Sequence, residues 1–370
     1  MAPLTGPVRV MVTDDSAFMR RAISQMFERA GDFNVVGTAR DGLDAIEQAK
    51  KLQPDLVTMD IEMPRMDGLT ALRQVRRVCD AAVLMVSSLT VEGSTASLAA
   101  LRAGAADVIA KDMSQVSLDI SRIEADLIGK ARAIAGHRRH RATTPVHELP
   151  PVSRPPTLKL TDFDVIVIGS STGGPPVLET ILAALPDTTP VPLVIAQHMP
   201  ALFTKAMSER LDSLSRLTVL HAEHNMPLLP GHAYVGPGGQ HVRVTGNRMV
   251  RLRLEVSPNP ADALYKPCVN ELFASAAKAC GPRTLAVVLT GMGEDGCEGG
   301  RKLHDAGGQI IAQDHGSCVV YGMPKAVTQA GLVIASLNPE QIAATLSGAP
   351  TAGDPTPPAN TLPVRAGRVA

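Results

Sequence analysis

The feature of the sequence that most restricts its fold is a repeated alternation of short apolar segments with longer segments of helical periodicity. The apolar segments span residues 8–13, 33–39, 55–60, 82–87 and 106–111 in the first half of the chain, and 164–169, 192–198, 218–223, 285–291 and 308–314 in the second. Strands that alternate with helices form parallel sheets, and strands without polar alternation are buried on both faces. The alternation therefore predicts an α/β protein with two doubly wound parallel sheets.

Shorter patterns add local detail to this prediction. Ser16 is a favourable N-cap, so a helix is expected over residues 16–30, and a further helical segment lies near 117–135. Residues 231–256 instead alternate polar with apolar side chains and turn at Gly-Gly and Gly-Asn. That pattern predicts antiparallel hairpins added to the second sheet.

The domain boundaries follow from composition along the chain, whose 370 residues suffice for two domains. Residues 137–160 lack periodicity and are rich in Pro and Arg, which is typical of a linker. We therefore predict a first domain over 1–130, a flexible linker over 131–160 and a second domain over 161–348. The Pro- and Ala-rich residues 349–370 are expected to be disordered.

Charge and composition exclude some classes of function. Lys+Arg and Asp+Glu number 36 each, aromatic residues make up 2% and Trp is absent, so neither a basic face nor a base-stacking platform for nucleic acid is expected. The five cysteines include no C-x-x-C pair, which favours a reducing compartment. No apolar stretch is long enough for a signal peptide or a membrane span. These features predict a soluble cytoplasmic protein without membrane insertion.

Carboxylates gather at one predicted edge of the first sheet. Asp14 and Asp15 end the first strand, Asp60 ends the third, and Ser87 and Lys111 end the fourth and fifth. The carboxyl ends of parallel strands meet at one edge, and clustered carboxylate oxygens are the ligands that Mg²⁺ prefers. A hydroxyl and an ammonium nearby would bind a phosphoryl group. The alternative for any single Asp is a helix cap.

Residues 7–128 resemble the receiver domain of bacterial response regulators, which has a flavodoxin-like fold. The similar segments are DDSAFMRRAI (14–23), MDIEMPRMDGL (59–69), VSSLT (86–90) and GAADVIAK (104–111). The resemblance implies that Asp60 accepts a phosphoryl group and that Ser87 and Lys111 contact it. Two positions depart from the family pattern: Asp112 replaces the usual Pro after the Lys, and Val108 replaces a frequent aromatic residue.

The resemblance also implies a Mg²⁺ site. Asp15 would be the principal carboxylate ligand, with Asp14 beside it, Asp60 as a shared ligand and the main-chain carbonyl of Glu62 as a further one. Regulators with this input often carry a DNA-binding output domain. The second half of this chain is strand-rich and has no basic excess, which argues against that output.

The second half opens with VIVIGSSTGGPP at residues 165–176, which allows two interpretations. A dinucleotide-binding loop would need glycine where Ser171 stands, because a side chain there obstructs a pyrophosphate. The segment from Gly169 to Gly173 does match the G-x-S-x-G pattern of a nucleophile turn. Pro175 and Pro176 suit the first turn of a following helix, so Ser171 is expected at a helix N-terminus.

A nucleophilic serine needs a base and a group that orients the base. His198 ends the strand that contains VIAQH, and Asp295 lies in the Gly-rich loop after the strand that contains VVLTG. Both positions fall at carboxyl ends of strands in the predicted sheet. A single histidine at a strand end is often structural, so the three residues count as candidates only together.

Residues 162–347 resemble the chemotaxis-type protein-glutamate methylesterases, so a Rossmann-like methylesterase domain is implied. The similar segments are VIGSSTGGPPVLETIL (167–182), VIAQHMP (194–200), PGHAYVGPGGQHVRV (230–244), LTGMGEDG (289–296) and QDHGSCVVYGMPKAV (313–327). The resemblance implies the catalytic triad Ser171, His198 and Asp295. It also implies that Thr172 helps hold the histidine and that the Met292 N–H joins the oxyanion hole.

Further implications concern partners. The resemblance implies methyl-accepting chemotaxis receptors as substrates, whose glutamyl methyl esters are hydrolysed and whose glutamines are deamidated, and a chemotaxis histidine kinase as phosphodonor. No cofactor is expected in the catalytic domain, and the receiver without its phosphoryl group is expected to pack over the triad. Cys268, Asn270, Cys297 and His315 depart from the family pattern outside the triad. The alternative hypothesis is a degenerate esterase domain that acts as a phosphorylation-dependent binding module.

Overall fold

The computed structural model describes residues 6–88, 90–111, 119–143, 156, 158–247 and 249–348. Within these residues the chain forms two parallel sheets with helices on their faces, as the alternation predicts. The predicted tail at 349–370 and position 112 lie outside the described residues.

The first sheet has the strand order β2-β1-β3-β4-β5, and all its neighbouring strands are parallel. Its strands and helices are β1 (Val8–Thr13), α1 (Ala17–Ala30), β2 (Phe33–Ala39), α2 (Gly42–Leu52), β3 (Leu56–Asp60), α3 (Gly68–Val78), β4 (Ala82–Ser88), α4 (Val91–Arg102), β5 (Asp107–Lys111) and α5 (Asp119–Thr143). Strand order reverses beside β1, so β1 and β3 place their carboxyl ends at the switch point of the sheet.

Helix α1 shows how local sequence sets an element of this domain. The Ser16 side chain accepts a hydrogen bond from the Met19 N–H, and Gly31 ends the helix with φ of 77°. Between them Ile23, Met26 and Phe27 are buried, which is the i, i+3, i+4 spacing of one helix face. The predicted helix start at Ser16 is therefore confirmed.

The second sheet has the order β14-β13-β12-β6-β7-β9-β8 and is parallel throughout. Its elements, with an adjoining two-stranded sheet, are β6 (Val165–Ser170), α6 (Gly174–Ala184), β7 (Leu193–Gln197), α7 (Ala201–Leu214), β8 (Thr218–His221), β9 (His232–Val235), β10 (His241–Asn247), β11 (Val250–Ser257), α8 (Val269–Cys280), β12 (Thr284–Val288), α9 (Cys297–Asp305), β13 (Gln309–Gln313), α10 (Met323–Gln329), β14 (Ala335–Leu337) and α11 (Pro339–Ser347). Strands β6 and β12 lie at its centre and are completely buried.

The structure corrects two details of the sequence interpretation. Residues 131–143, assigned to the linker, continue helix α5, and Ala131, Ile134 and Ala135 are buried against the first sheet. The region 231–256 yields one antiparallel hairpin, β10–β11, which forms its own two-stranded sheet, whereas β9 pairs in parallel with β7 and β8. Strand β14 was not anticipated, because three residues are too few for a pattern.

The two sheets are joined by direct contacts between their helices and loops. Helix α4 packs against α6 and α7, and Arg102 of α4 forms an ion pair with Glu179 of α6 at 3.3 Å. Met292, Val319 and Val320 of the second domain pack against the hydrophobic cluster that contains Leu127 of α5. The first domain therefore covers the edge of the second sheet where the loop at 290–295 lies.

In the part of the chain that the structure describes, every helix is too short or too polar to cross a bilayer.

Candidate active site and acidic cluster

Ser171 lies in the turn between β6 and α6. The chain turns through Gly173, whose φ of 78° favours glycine, and α6 then begins with Pro175 and Pro176 in its first turn. The Ser171 N–H donates to the Thr290 carbonyl at 3.0 Å, and its own carbonyl accepts from the Gly174 N–H at 2.9 Å. The predicted turn at a helix N-terminus is thus present, and Ser171, which is 8% exposed, lies in it; its role as nucleophile stays a prediction.

His198 lies beside this turn, because β6 and β7 are neighbouring strands with Ser170 opposite Gln197. Ser171 directly follows Ser170 in the chain, and His198 directly follows Gln197. The His198 N–H donates to the Ser170 carbonyl at 3.0 Å, which fixes the backbones together. In the part of the chain that the structure describes, no hydrogen bond joins the Ser171 hydroxyl to the His198 imidazole.

The imidazole of His198 is bound instead to Asp295. Its Nε2 lies 2.8 Å from Oδ2 of Asp295, and the two side chains are 7% and 4% exposed. The Nδ1 atom of the same ring is buried and has no hydrogen-bond partner among the described residues. Because the carboxylate favours the proton on Nε2, Nδ1 carries the lone pair that a general base needs.

Asp295 is held at the N-terminus of α8. Its carboxylate accepts hydrogen bonds from the N–H groups of Val269 at 2.7 Å and Asn270 at 2.9 Å, and from the Cys268 thiol at 3.3 Å. Burial alone would raise the pKa of Asp295, but the His198 hydrogen bond and charge, together with these N–H groups, lower it below its ordinary value. The carboxylate is therefore kept ionised and aimed at the imidazole.

Two contacts of this site were not predicted. The Tyr265 ring stacks on the His198 imidazole, with centroids 4.2 Å apart and planes 10° from parallel. The buried Gln197 side chain donates to the Ser171 carbonyl at 2.9 Å. The sequence does carry a weak signal for Gln197, since a polar residue ends an otherwise apolar strand. Tyr265 lies in a segment without helix or strand, so hydrophobic periodicity gives no information about its position.

Thr172 and Met292, predicted to support the triad, both contact the first domain. The Thr172 hydroxyl donates to Oδ2 of Asp107 on β5 at 2.6 Å, and among the described residues no hydrogen bond joins it to His198. The Met292 N–H donates to no acceptor among the described residues. The Met292 side chain approaches Gly129 of α5, since a Cβ added to Gly129 would lie 3.5 Å from the Met292 Cε. The oxyanion role of Met292 stays a prediction.

The contact at Asp107 is part of a buried polar cluster. Nζ of Lys130 lies 3.2 Å from Oδ2 of Asp107 and donates to the Val108 carbonyl at 2.9 Å. Asp107 therefore bridges a lysine of α5 and the hydroxyl next to Ser171. Asp107 thus connects β5 and α5 to the turn that carries Ser171.

The acidic residues predicted at the edge of the first sheet do meet there. Carboxylate oxygens of Asp14, Asp15 and Asp60 lie within 4.8 Å of one another, and Lys111 Nζ lies 2.7 Å from Asp14 and 2.8 Å from Asp60. Burial raises the pKa of Asp60 in spite of the nearby Lys111. Three hard oxygen donors with one exposed carboxylate, that of Asp15, fit Mg²⁺, which retains several waters when bound.

The remaining predicted residues line the same edge. Ser87 is buried, and its hydroxyl donates to the Gly93 carbonyl at 3.2 Å. The Glu62 side chain is exposed and accepts a hydrogen bond from Ser88 at 3.2 Å. The roles of Ser87 in phosphoryl contact and of the Glu62 carbonyl in metal binding stay predictions.

Comparison with known proteins assigns both halves of the chain. The CheB methylesterase family matches residues 166–346, and the response regulator receiver domain matches residues 10–121. Protein-glutamate methylesterase/protein-glutamine glutaminase 1 of Oleidesulfovibrio alaskensis is 48% identical over 367 residues, which cover 92% of this chain and 99% of that protein. Protein-glutamate methylesterase/protein-glutamine glutaminase 2 of Nitratidesulfovibrio vulgaris is 45% identical, covering 92% and 98%.

Among solved structures, the Thermotoga maritima CheB methylesterase catalytic domain is 39% identical and has a TM-score of 0.49, covering 50% of this chain and 98% of its own. The relatives match both domains in the same order and over nearly their full lengths. The chain therefore belongs to the protein-glutamate methylesterase/protein-glutamine glutaminase family, as an enzyme with an N-terminal receiver domain and a C-terminal CheB methylesterase domain.

Proposed function

We propose that the protein is a phosphorylation-regulated serine esterase of the cytoplasm. It hydrolyses glutamyl methyl esters on methyl-accepting chemotaxis receptors and deamidates specific glutamines there. The observation that carries this proposal is the buried His198–Asp295 pair at 2.8 Å, in which His198 follows β7, the strand beside the one that leads to Ser171. The names of the relatives support the substrate class.

The chemistry follows from the three side chains. Nδ1 of His198 removes the Ser171 proton while Oγ attacks the γ-carbonyl carbon of the ester. The negative charge that develops on the carbonyl oxygen is stabilised by N–H groups at the start of α6 and by the Met292 N–H. The imidazolium, held by Asp295, then protonates the leaving methoxide, and methanol departs.

The second half of the reaction uses the same groups. Water gives a proton to Nδ1 and attacks the acyl-enzyme, and the Ser171 oxygen leaves with that proton, which frees the glutamate side chain. With glutamine as substrate the first leaving group is ammonia. Both reactions are acyl transfers, so one site suffices for both.

Control is proposed to reside in the receiver domain. Asp60 accepts a phosphoryl group from a chemotaxis histidine kinase, while Lys111 and Ser87 contact its oxygens. Asp14, Asp15, Asp60 and the Glu62 carbonyl would hold Mg²⁺, which supplies positive charge to the phosphoryl oxygens. The receiver covers the Met292 loop and binds Thr172 through Asp107, which supports a closed, less active state. Phosphorylation would shift the population towards an open state.

The test is methanol release from a methyl-esterified receptor, measured for the full chain with and without acetyl phosphate and Mg²⁺. We expect phosphorylation to raise the rate of the wild type, Asp60→Asn to remove that response, and Ser171→Ala to abolish release in both conditions. Release by Ser171→Ala at the wild-type rate would contradict the serine assignment. An unchanged rate on phosphorylation, with Asp60 shown to be modified, would contradict the proposed control.

A further inference from the structure

We propose that Gln197 is a positioning residue of the esterase site, which holds the nucleophile and the base in register through their main chains. The proposal rests on the proposed function, since it assigns Ser171 and His198 their catalytic roles. Gln197 is the last residue of β7 and is 1% exposed, so its carboxamide is removed from water.

The carboxamide of Gln197 contacts the residues on both sides of the site. Its Nε2 donates to the Ser171 carbonyl at 2.9 Å and to the His198 carbonyl at 3.3 Å. Its Oε1 accepts a hydrogen bond from the Ser170 hydroxyl at 2.5 Å. One side chain thus ties the main chain of the nucleophile to the main chain of the base.

The orientation of this amide is determined by its partners. The two carbonyl groups accept only, so the NH₂ group must face them. The Ser170 hydroxyl then donates to the remaining oxygen. Every donor of the carboxamide is used, and a buried polar group left without its partner is costly, so the arrangement resists displacement.

Gly174 provides the space that the carboxamide occupies. A Cβ at this first residue of α6 would lie 2.4 Å from Oε1 of Gln197 and 2.9 Å from Cβ of Ser170. No real Cβ approaches an oxygen so closely, so a side chain at position 174 would push Gln197 away from Ser171. The position of the Gln197 carboxamide therefore depends on the absence of a side chain at Gly174.

Gln197 affects catalysis by holding Ser171 and His198 in place, and it takes no part in proton transfer. Gln197 contacts main-chain atoms and not the Ser171 hydroxyl or the imidazole. A displacement of about 1 Å in a reacting group can cost about 100-fold in rate. Loss of the carboxamide should therefore reduce kcat and leave substrate affinity nearly unchanged.

The test compares Gln197→Met, which keeps the length of the side chain but removes both polar atoms, with Ser170→Ala and Thr284→Val. We expect Gln197→Met to lower kcat for methanol release by the phosphorylated full chain about 10–100-fold, with KM changed less than about threefold. Gly174→Ala displaces the same carboxamide from the opposite side and should give the same selective loss. Ser170→Ala keeps both contacts to carbonyl groups but leaves Oε1 of Gln197 without its partner, so it should lower kcat less than Gln197→Met does.

Thr284→Val is the matched control for stability. Thr284 is fully buried in β12 and donates to the Ala276 carbonyl at 3.3 Å, away from the site, so its replacement should lower Tm without lowering kcat. Wild-type kcat in both Gln197→Met and Gly174→Ala, or a rise in KM with kcat unchanged, would overturn the positioning role. Activity of Ser171→Ala in the same assay would instead overturn the proposed function.

Discussion

Nε2 of His198 lies 2.8 Å from Oδ2 of Asp295, while Nδ1 of the same ring is buried and has no hydrogen-bond partner among the described residues. The imidazole is therefore oriented with Nδ1 as its basic atom. This reverses the use of the two nitrogens in the chymotrypsin-type triad, where Nε2 contacts the serine. Under the proposed mechanism, Nδ1 takes the Ser171 proton while Asp295 holds Nε2.

Replacement of Asp295 by Asn should remove the group that selects this tautomer. The amide could not accept from His198 and from the N–H groups of Val269 and Asn270 at once. We expect methanol release to fall about 10³–10⁴-fold, as in other triads that lose their carboxylate. The measurement is kcat of the phosphorylated full chain, and activity within about tenfold of wild type would contradict the orienting role.

Asp295 should also make stability depend on pH in the acid range. Its pKa is lowered on folding, so its ionised form stabilises the native state above the unfolded pKa of about 3.9, and that contribution is lost as pH falls through the folded pKa. The urea midpoint of the wild type should exceed that of Asp295→Asn at pH 6, and the difference should shrink progressively below about pH 4. A difference that stays constant down to pH 3 would contradict the linkage.

Mg²⁺ should stabilise the receiver domain through the acidic cluster. Asp14, Asp15 and Asp60 place carboxylates within 4.8 Å, and a cation bound only to the native state raises stability by about 2.7 kcal/mol at 100 times its Kd. We expect Mg²⁺ to raise Tm in the wild type, EDTA to reverse this, and Asp15→Asn to show a smaller rise. An equal rise in Asp15→Asn would place the ion elsewhere.

Met292→Ala should separate the backbone and side-chain roles of that residue. The backbone N–H, the proposed oxyanion donor, remains, but the packing of the side chain against the receiver is lost. We expect the unphosphorylated rate to rise several-fold while the phosphorylated rate stays close to wild type. Met249→Ala is the control, because that side chain is 94% exposed and should change neither rate. A fall in both rates would instead show that the side chain supports the chemistry.

Gly68→Ala should disturb the backbone of Asp60, the proposed phosphoacceptor. A Cβ at Gly68 would lie 1.9 Å from the main-chain oxygen of Asp60, so β3 or α3 must move. Overpacking of this kind costs about 1–3 kcal/mol, which Tm and the urea midpoint would report. Gly316→Ala is the control, since nothing lies within 4 Å of its added Cβ and stability should change little.

The parts of the fold that sequence predicts are those that periodicity determines. Strands such as β4 and β6 were placed correctly because each is a nearly continuous apolar run between turn signals. The site residues at strand ends followed from the rule that such ends converge in a parallel sheet. Helix α5 was predicted too short, because its end is rich in Arg and His, although Ala131, Ile134 and Ala135 keep the spacing of a buried face.

Contacts between domains and between loops could not be predicted in this way. The hydrogen bond from Thr172 to Asp107 joins residues 65 positions apart in different domains, and no local pattern records it. Gln197 and Gln313 both end strands with the sequence Ile-Ala-Gln. Only the first contacts the Ser171 carbonyl, whereas the second accepts from the Thr290 N–H, so identical motifs have different tasks.

The close approach of Gly174 to Gln197 has a consequence for sequence variation. A larger residue at 174 displaces the amide, and a shorter residue at 197 leaves a hole beside the helix. The two changes should therefore partly offset each other in the free energy of unfolding, although the double variant still loses the bonds from Gln197 to the two carbonyl groups. Libraries in which both codons are randomised, selected for folding and not for catalysis, would show this dependence as co-variation between positions 174 and 197.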